Sequence, residues 1–140
     1  MAAWRGLLRT HALVLAELDA ALEREHGLAV PEYEVLLVLT ESGDNHLRMS
    51  ELADAALLTR SGMTRLVDRL ERQGLVRRER CAADGRGTHA VITPEGAARF
   101  AAARPTAIAG VRRLFLDKLK KKDQRALAEA FDSVLSEHTA

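Results

Sequence analysis

Eight arginines and no lysine stand between residues 60 and 89: Arg60, Arg65, Arg69, Arg72, Arg77, Arg78, Arg80 and Arg86. Asp68, Glu71, Glu79 and Asp84 oppose them, leaving a local charge of +4. Residues 1–47 carry three Arg or Lys against eight Asp or Glu, a local charge of −5, while the whole 140-residue chain is only +1. Positive charge is therefore sorted into one segment. Guanidinium is a planar fork of donors that matches phosphate oxygens and the guanine edge in pairs, which a flexible ammonium does not. The chemistry these residues suit is recognition of a phosphate polymer, set against the plainer reading of a solvated basic face.

Other chemistries find less support. One cysteine, Cys81, excludes an intrachain disulfide. The five histidines (His11, His26, His46, His89 and His138) are too scattered for a compact metal signature. There is no glycine-rich phosphate loop and no GxSxG elbow, so neither an enzyme nor a cofactor is expected. The run "VLLVL" from Val35 to Leu39 is too short to span a bilayer. Arg9, Glu17 and Asp19 interrupt the N-terminal stretch, which does not read as a signal peptide. A cytoplasmic protein without a membrane partner is expected.

The arginines need a scaffold to present them. Leu7, Leu8, His11, Leu15, Leu18 and Leu22 recur at three- and four-residue steps, predicting a long first helix to about His26. "HGLAVPEYE" breaks it, and Pro31 is placed to open a second helix ending near Glu41. "SGDNH" reads as a loop. Ser50 then reads as the N-cap of a short helix through about Ala56, with Leu52, Ala53 and Ala56 inward. Thr59 is placed to cap the next helix, whose Met63, Leu66, Val67 and Leu70 form an i, i+3, i+4, i+7 stripe. At roughly 100° per residue, the opposite side carries Ser61, Arg65, Asp68 and Arg72, flanked by Thr64 and Arg69. Gly74 ends this helix.

"LVRRER" and "THAVIT" read as two strands with Gly85 and Gly87 in the turn between them. A hairpin placed after the second member of a helix-turn-helix is a wing. Arg78 and Arg80 share one face of the first strand and Arg77 the other. Asp68 and Arg72, four apart, have the spacing to pair along their helix. Thr93 and Pro94 open a further helix to about Lys118, with a kink or interruption expected at Pro105. "QRALAEAFDSVLSEH" supplies a last helix, with Leu127, Ala130, Phe131, Val134 and Leu135 expected inward. The predicted fold class is mainly α with a small β-hairpin wing, in one domain.

This order resembles the MarR family of bacterial transcription regulators over essentially the whole chain. The sharpest parts are "SELADAALLTRSGMTRLVDRLERQGLVRRE" and "DGRGTHAVITPEG". The second is similar to the family's wing signature: Asp84, then Arg86 two positions on, then "ITPEG" with Ile for the usual Leu. The resemblance implies a winged helix-turn-helix over about residues 31–96, flanked by dimerisation helices at about 1–26 and 97–138. It also implies a homodimer on a pseudo-palindromic operator in double-stranded DNA. In such regulators a small aromatic or phenolic effector, or an oxidant, often releases the DNA.

Ser61, Thr64 and Arg65 lie where a groove-inserted helix presents its N-terminal half, and an arginine there can donate two hydrogen bonds to guanine. The helix N-terminus with the hydroxyls of Thr59 and Ser61 can hold a phosphate. The candidate DNA contacts are Ser50, Thr59, Arg60, Ser61, Gly62, Thr64, Arg65, Arg69, Asp84 and Arg86. Arg86 at the wing tip is placed to reach the minor groove. By family analogy Asp84 orients it, against the simpler role of a turn former.

Trp4, His11 and Tyr33 are the candidate effector-lining residues, each set against a plain core or interface role. Cys81 lies beside Arg77, Arg78 and Arg80, which favour a thiolate, so a redox-responsive regulator is one alternative. Relatives that sense oxidants carry the reactive cysteine near the N-terminus, where this chain has none. A winged-helix protein–protein module without DNA binding is another alternative, against which Arg65 and Arg86 count. An accessory domain of an enzyme would have no catalytic constellation to serve.

Overall fold

The computed structural model describes residues 1–56, 60–80 and 87–137. Helix α1 (Ala2–His26) stops at Gly27, whose φ of 64° places it in the left-handed region; its amide bonds the Glu23 carbonyl at 3.0 Å. Helix α2 (Val30–Glu41) starts one residue before Pro31. Carboxylates satisfy its first free amides: Ala29 N donates to Glu32 Oε2 at 3.1 Å, and Val30 N to Asp19 Oδ1 of α1 at 2.7 Å. Anions suit this positive helix end.

The expected loop "SGDNH" gives way at its last residue to a strand, β1 (His46–Arg48), followed directly by α3 (Met49–Ala55). Ser50 is therefore not the N-cap. The extended chain of β1 carries through Arg48, which takes that position, and Glu51 Oε2 accepts its amide at 3.0 Å. Helix α4 (Arg60–Arg72) carries the predicted stripe, with Met63, Val67 and Leu70 fully buried and Leu66 nearly so. It ends at Gly74 (φ 75°), past which Leu75 N bonds the Leu70 carbonyl at 2.9 Å. Strands β2 (Val76–Arg80) and β3 (Thr88–Ile92) pair antiparallel as predicted, with Val76 opposite Ile92 and Arg80 opposite Thr88. Strand β1 adds to the other side of β3, giving the order β1-β3-β2.

Helix α5 (Pro94–Leu114) is capped by Thr93, whose Oγ1 accepts the Gly96 amide at 3.0 Å. Of the kink or interruption expected at Pro105, the interruption does not occur: the helix is continuous through it. Proline removes the amide that would bond the Ala101 carbonyl, but Ala101 and Pro105 both face solvent, so water can satisfy that oxygen. Phe100, Ala103 and Ala107, on either side of Pro105, are buried in the core. The helix also ends earlier than expected, passing into a 3-10 turn (Leu116–Lys118). Helix α6 (Lys121–Ser136) corrects a further expectation, because none of its residues is buried in the chain. Leu127 is half-buried, Ala130 is exposed, and Phe131, Val134 and Leu135 expose 39, 62 and 61% of their surface. No described helix is long and apolar enough to cross a membrane.

The core joins Leu18 and Leu22 of α1 to α2, to the inner stripe of α4, to Ala90 and Ile92 of β3 and to Phe100 of α5. Burying each large side chain of that stripe contributes about 1.5–3 kcal/mol. Polar ties then orient α1 on α5: His26 Nε2 meets Thr106 Oγ1 at 2.8 Å, and Arg99 Nη1 donates to the His26 carbonyl at 3.1 Å. The first turn of α5 presses on the start of β2 so closely that a Cβ on Gly96 would collide with the Leu75 carbonyl. Gly96→Ala should therefore lower stability by roughly 1–3 kcal/mol through overpacking, read as a fall in the thermal midpoint. An unchanged midpoint would show that the Leu75 turn gives way freely.

Candidate nucleic-acid interface

Because the apolar stripe of α4 faces the core, its opposite side is left to solvent. Ser61, Thr64, Arg65, Asp68, Arg69 and Arg72 are all exposed. Ser61, Gly62, Arg65 and Arg69 line one open groove of about 530 Å³ together with Pro31, Leu66, Asp68 and Arg72. Four of the predicted contacts thus converge. Pro31 and Arg72 were not among the candidates; helical spacing placed Arg72 on this face, while the approach of Pro31 depends on tertiary packing that no local signal carries.

The arginines divide by what holds them. No salt bridge is found for Arg65 among the described residues, and it projects from the exposed face one turn into α4. Arg69 lies 3.5 Å from Oε1 of Glu32, a carboxylate whose side chain is only 8% exposed and whose other oxygen caps α2. Arg69 therefore ties α4 to the α1–α2 junction as well as lining the groove. Arg77 points outward and pairs with Glu79 at 2.8 Å. The expected side-chain pair of Asp68 with Arg72 does not form. Arg72 Nε donates instead to the Asp68 backbone carbonyl at 3.3 Å, because Arg78 of β2 claims the Asp68 carboxylate at 2.7 Å.

The remaining candidates are spread more widely. Ser50 is half-buried in the first turn of α3, and Arg60 opens α4. Thr59, Cys81, Asp84, Gly85 and Arg86 lie outside the described residues. Trp4 and His11 are exposed on α1, whereas Tyr33 is buried with its ring centroid 5.3 Å from that of Phe100. Burial pushes the Tyr33 phenol above its ordinary value, against the opposing pull of Arg104. A second groove, between α1 and α5, is lined by Arg24, Glu25, Pro105, Thr106 and Arg113 among others, and by none of these three. Among the described residues, no group of three or more His, Cys, Asp or Glu is placed to hold a metal.

A short helix, a turn, an exposed basic helix and a hairpin in this order form a winged helix-turn-helix, and comparison with known proteins agrees. The model of the MarR family matches residues 26–87. The transcriptional regulator HosA of Escherichia coli O157:H7 is 31% identical over 102 residues, covering 73% of each chain. The chain belongs to the MarR family. The Streptomyces coelicolor MarR-family regulator Sco3205, solved in complex with DNA, is 36% identical with a TM-score of 0.93, over 99% of this chain and 86% of that one. The Bacillus subtilis repressor YetL is 29% identical over 76% of this chain, a match that spans 65% of the repressor's length. This MarR-family chain is accordingly a DNA-binding transcription regulator, and a winged-helix module without DNA binding is not favoured.

The Glu32 carboxylate serves both the α2 cap and the reading helix, so its loss should be felt in both. Glu32→Ala should lower stability by roughly 0.5–2 kcal/mol, measured by denaturant titration. Glu32→Gln should recover part of that, since an amide oxygen can still accept the Ala29 amide. Equal losses in the two variants would assign the effect to the ion pair with Arg69 alone.

Proposed function

We propose that this regulator represses transcription as a homodimer on a pseudo-palindromic operator, with α4 in the major groove. The carrying observation is the exposed side of α4, where Ser61, Thr64 and Arg65 are presented while the other side is locked into the core. Arg65 reads a guanine edge, and the start of α4 with Thr59, Arg60 and Ser61 holds a phosphate. Gly62 lets the backbone approach closely, Ser50 and Arg69 contact the DNA backbone, and Arg86, oriented by Asp84, enters the flanking minor groove. Repression follows the role of the similar repressor YetL. The protein works in the cytoplasm, without enzymatic activity and without a cofactor.

The apolar surface supports the dimer. Trp4, Leu7 and Leu8 of α1 expose 55, 42 and 49% of their surface, alongside the uncovered stripe of α6. Leaving such area in water is unfavourable, and a twofold partner removes it while setting two reading helices about one DNA turn apart. Trp4 and His11 on this surface, together with the buried Tyr33, are the residues from which a small aromatic or phenolic effector would act.

Selecting duplexes from a random pool tests the reading: a near-palindromic consensus is expected, and a pool without enrichment would refute sequence-specific binding. On the selected duplex, Arg65→Ala should cost roughly 1–3 kcal/mol per half-site and relax preference at one base pair. Equal losses on selected and random duplexes would remove Arg65 from base reading. Leu8→Glu combined with Phe131→Glu should give a monomer near 15.4 kDa by sedimentation and abolish specific binding with α4 untouched. A wild type that already sediments as a monomer would refute the dimer.

A further inference from the structure

Asp68 occupies an unexpected position for a DNA reader. It follows Arg65 by three residues and precedes Arg72 by four, and it lines the same groove as both. A bare carboxylate there would face phosphates once the helix entered a groove, and like charges repel. Glu71 adds a second carboxylate on the side of α4 next to β2. Arg78 meets both: its Nη1 lies 2.7 Å from Asp68 Oδ1 and 3.0 Å from Glu71 Oε1. Its Nη2 donates to the Thr64 carbonyl at 3.1 Å, and its backbone amide donates to Glu71 Oε2 at 2.9 Å. The side chain keeps 23% of its exposure, against 53% for the neighbouring Arg77. Both terminal nitrogens of the guanidinium are committed to the helix.

We propose that Arg78 is a positioning residue for DNA recognition, acting through α4 by neutralising the carboxylate of Asp68 and holding that of Glu71 on the β2 side, and not by touching phosphate. This rests on the DNA-reading face of α4 proposed above. Thr64, Asp68 and Glu71 are spaced i, i+4, i+7, so a single guanidinium spans two turns of the reading helix. Arg77 has no such partner on α4; its guanidinium is paired with Glu79 on its own strand.

The test compares Arg78→Met, Asp68→Asn and the combined variant in the full chain. Affinity for the duplex selected by the wild type and for a random duplex is followed over a salt series, with thermal unfolding of each protein. Arg78→Met should weaken the selected duplex by about tenfold or more. The combined variant has the wild-type net charge and a neutral residue 68, and Glu71 Oε2 still accepts the backbone amide of residue 78. It should return to within about threefold of wild-type affinity. A combined variant that folds but stays weak on both duplexes, with a salt slope shallower by roughly 0.9, would mean that Arg78 contacts a phosphate and overturns the proposal. A combined variant that does not fold overturns it too, since the arginine would then serve stability alone. If Arg78→Met alone fails to fold, the combined variant still decides. A wild type that selects no duplex is a failure of the DNA-reading assignment, distinct from either result.

Discussion

Thr93 and Gly96 bring the ends of four elements to one point. The Thr93 hydroxyl accepts the Gly96 amide at the start of α5 and donates to the Gly74 carbonyl at 2.7 Å, where α4 has just ended. The Thr93 amide bonds the carbonyl of Leu75, the residue from which β2 departs, at 3.0 Å. Gly96 packs against that same carbonyl, with no room for a side chain. Reading helix, wing and long helix therefore cannot be re-aimed independently. In the proposed dimer α5 leads from this junction toward the apolar surface, so the junction also transmits the spacing between two reading helices.

Electrostatics in the acidic half is less hostile to DNA than its formal charge of −5 implies. Asp19 and Glu32 are spent on the first amides of α2, with Glu32 nearly buried, and Glu51 plays the same part at α3. Carboxylates in these positions are favoured by the helix dipole and, where buried, kept from facing a phosphate. The basic segment is moderated in the same way, since Arg77, Arg78 and Arg69 each have a carboxylate within 3.5 Å. Arg65, for which no salt bridge is found among the described residues, stays on the exposed side of α4. Sorting by partner, more than counting by sign, decides where the field is positive.

The parts legible in the sequence were those with local causes. The α4 stripe, the left-handed Gly74, the Thr93–Pro94 start of α5 and the β2–β3 hairpin all follow from spacing within a few residues, and so does the exposed set Ser61, Thr64 and Arg65. Strand β1 was missed because three residues carry no periodicity; it exists only through pairing with β3, more than 40 positions away. That strand in turn displaced Ser50 from the cap. Helix α5 was not interrupted at Pro105 because the core contacts of Phe100, Ala103 and Ala107, on both sides of it, are tertiary. The Arg78–Asp68 pair was hidden for a related reason: i, i+4 spacing pointed to Arg72, and only the β2 register sets a competing guanidinium beside α4.

Helix α6 was misread in a more instructive way. Its apolar spacing is that of a helix with something to cover, yet none of its residues is buried within one chain. Its first turns are anchored by Gln124 Nε2, which donates to the carbonyls of Leu116 at 2.9 Å and Leu119 at 3.2 Å. An amphipathic helix of 16 residues has little stability of its own in water, because nucleation is costly and propensity supplies little per residue. Its order thus depends on surface supplied from elsewhere. If a second copy supplies it, completing α6 and pairing two reading helices become one event. Each half-site contact is weak alone and strong when coupled through the shared surface. Folding of the last helix, dimer formation and operator affinity would then share one dependence on protein concentration, although the residues responsible are none of those that line the groove of α4.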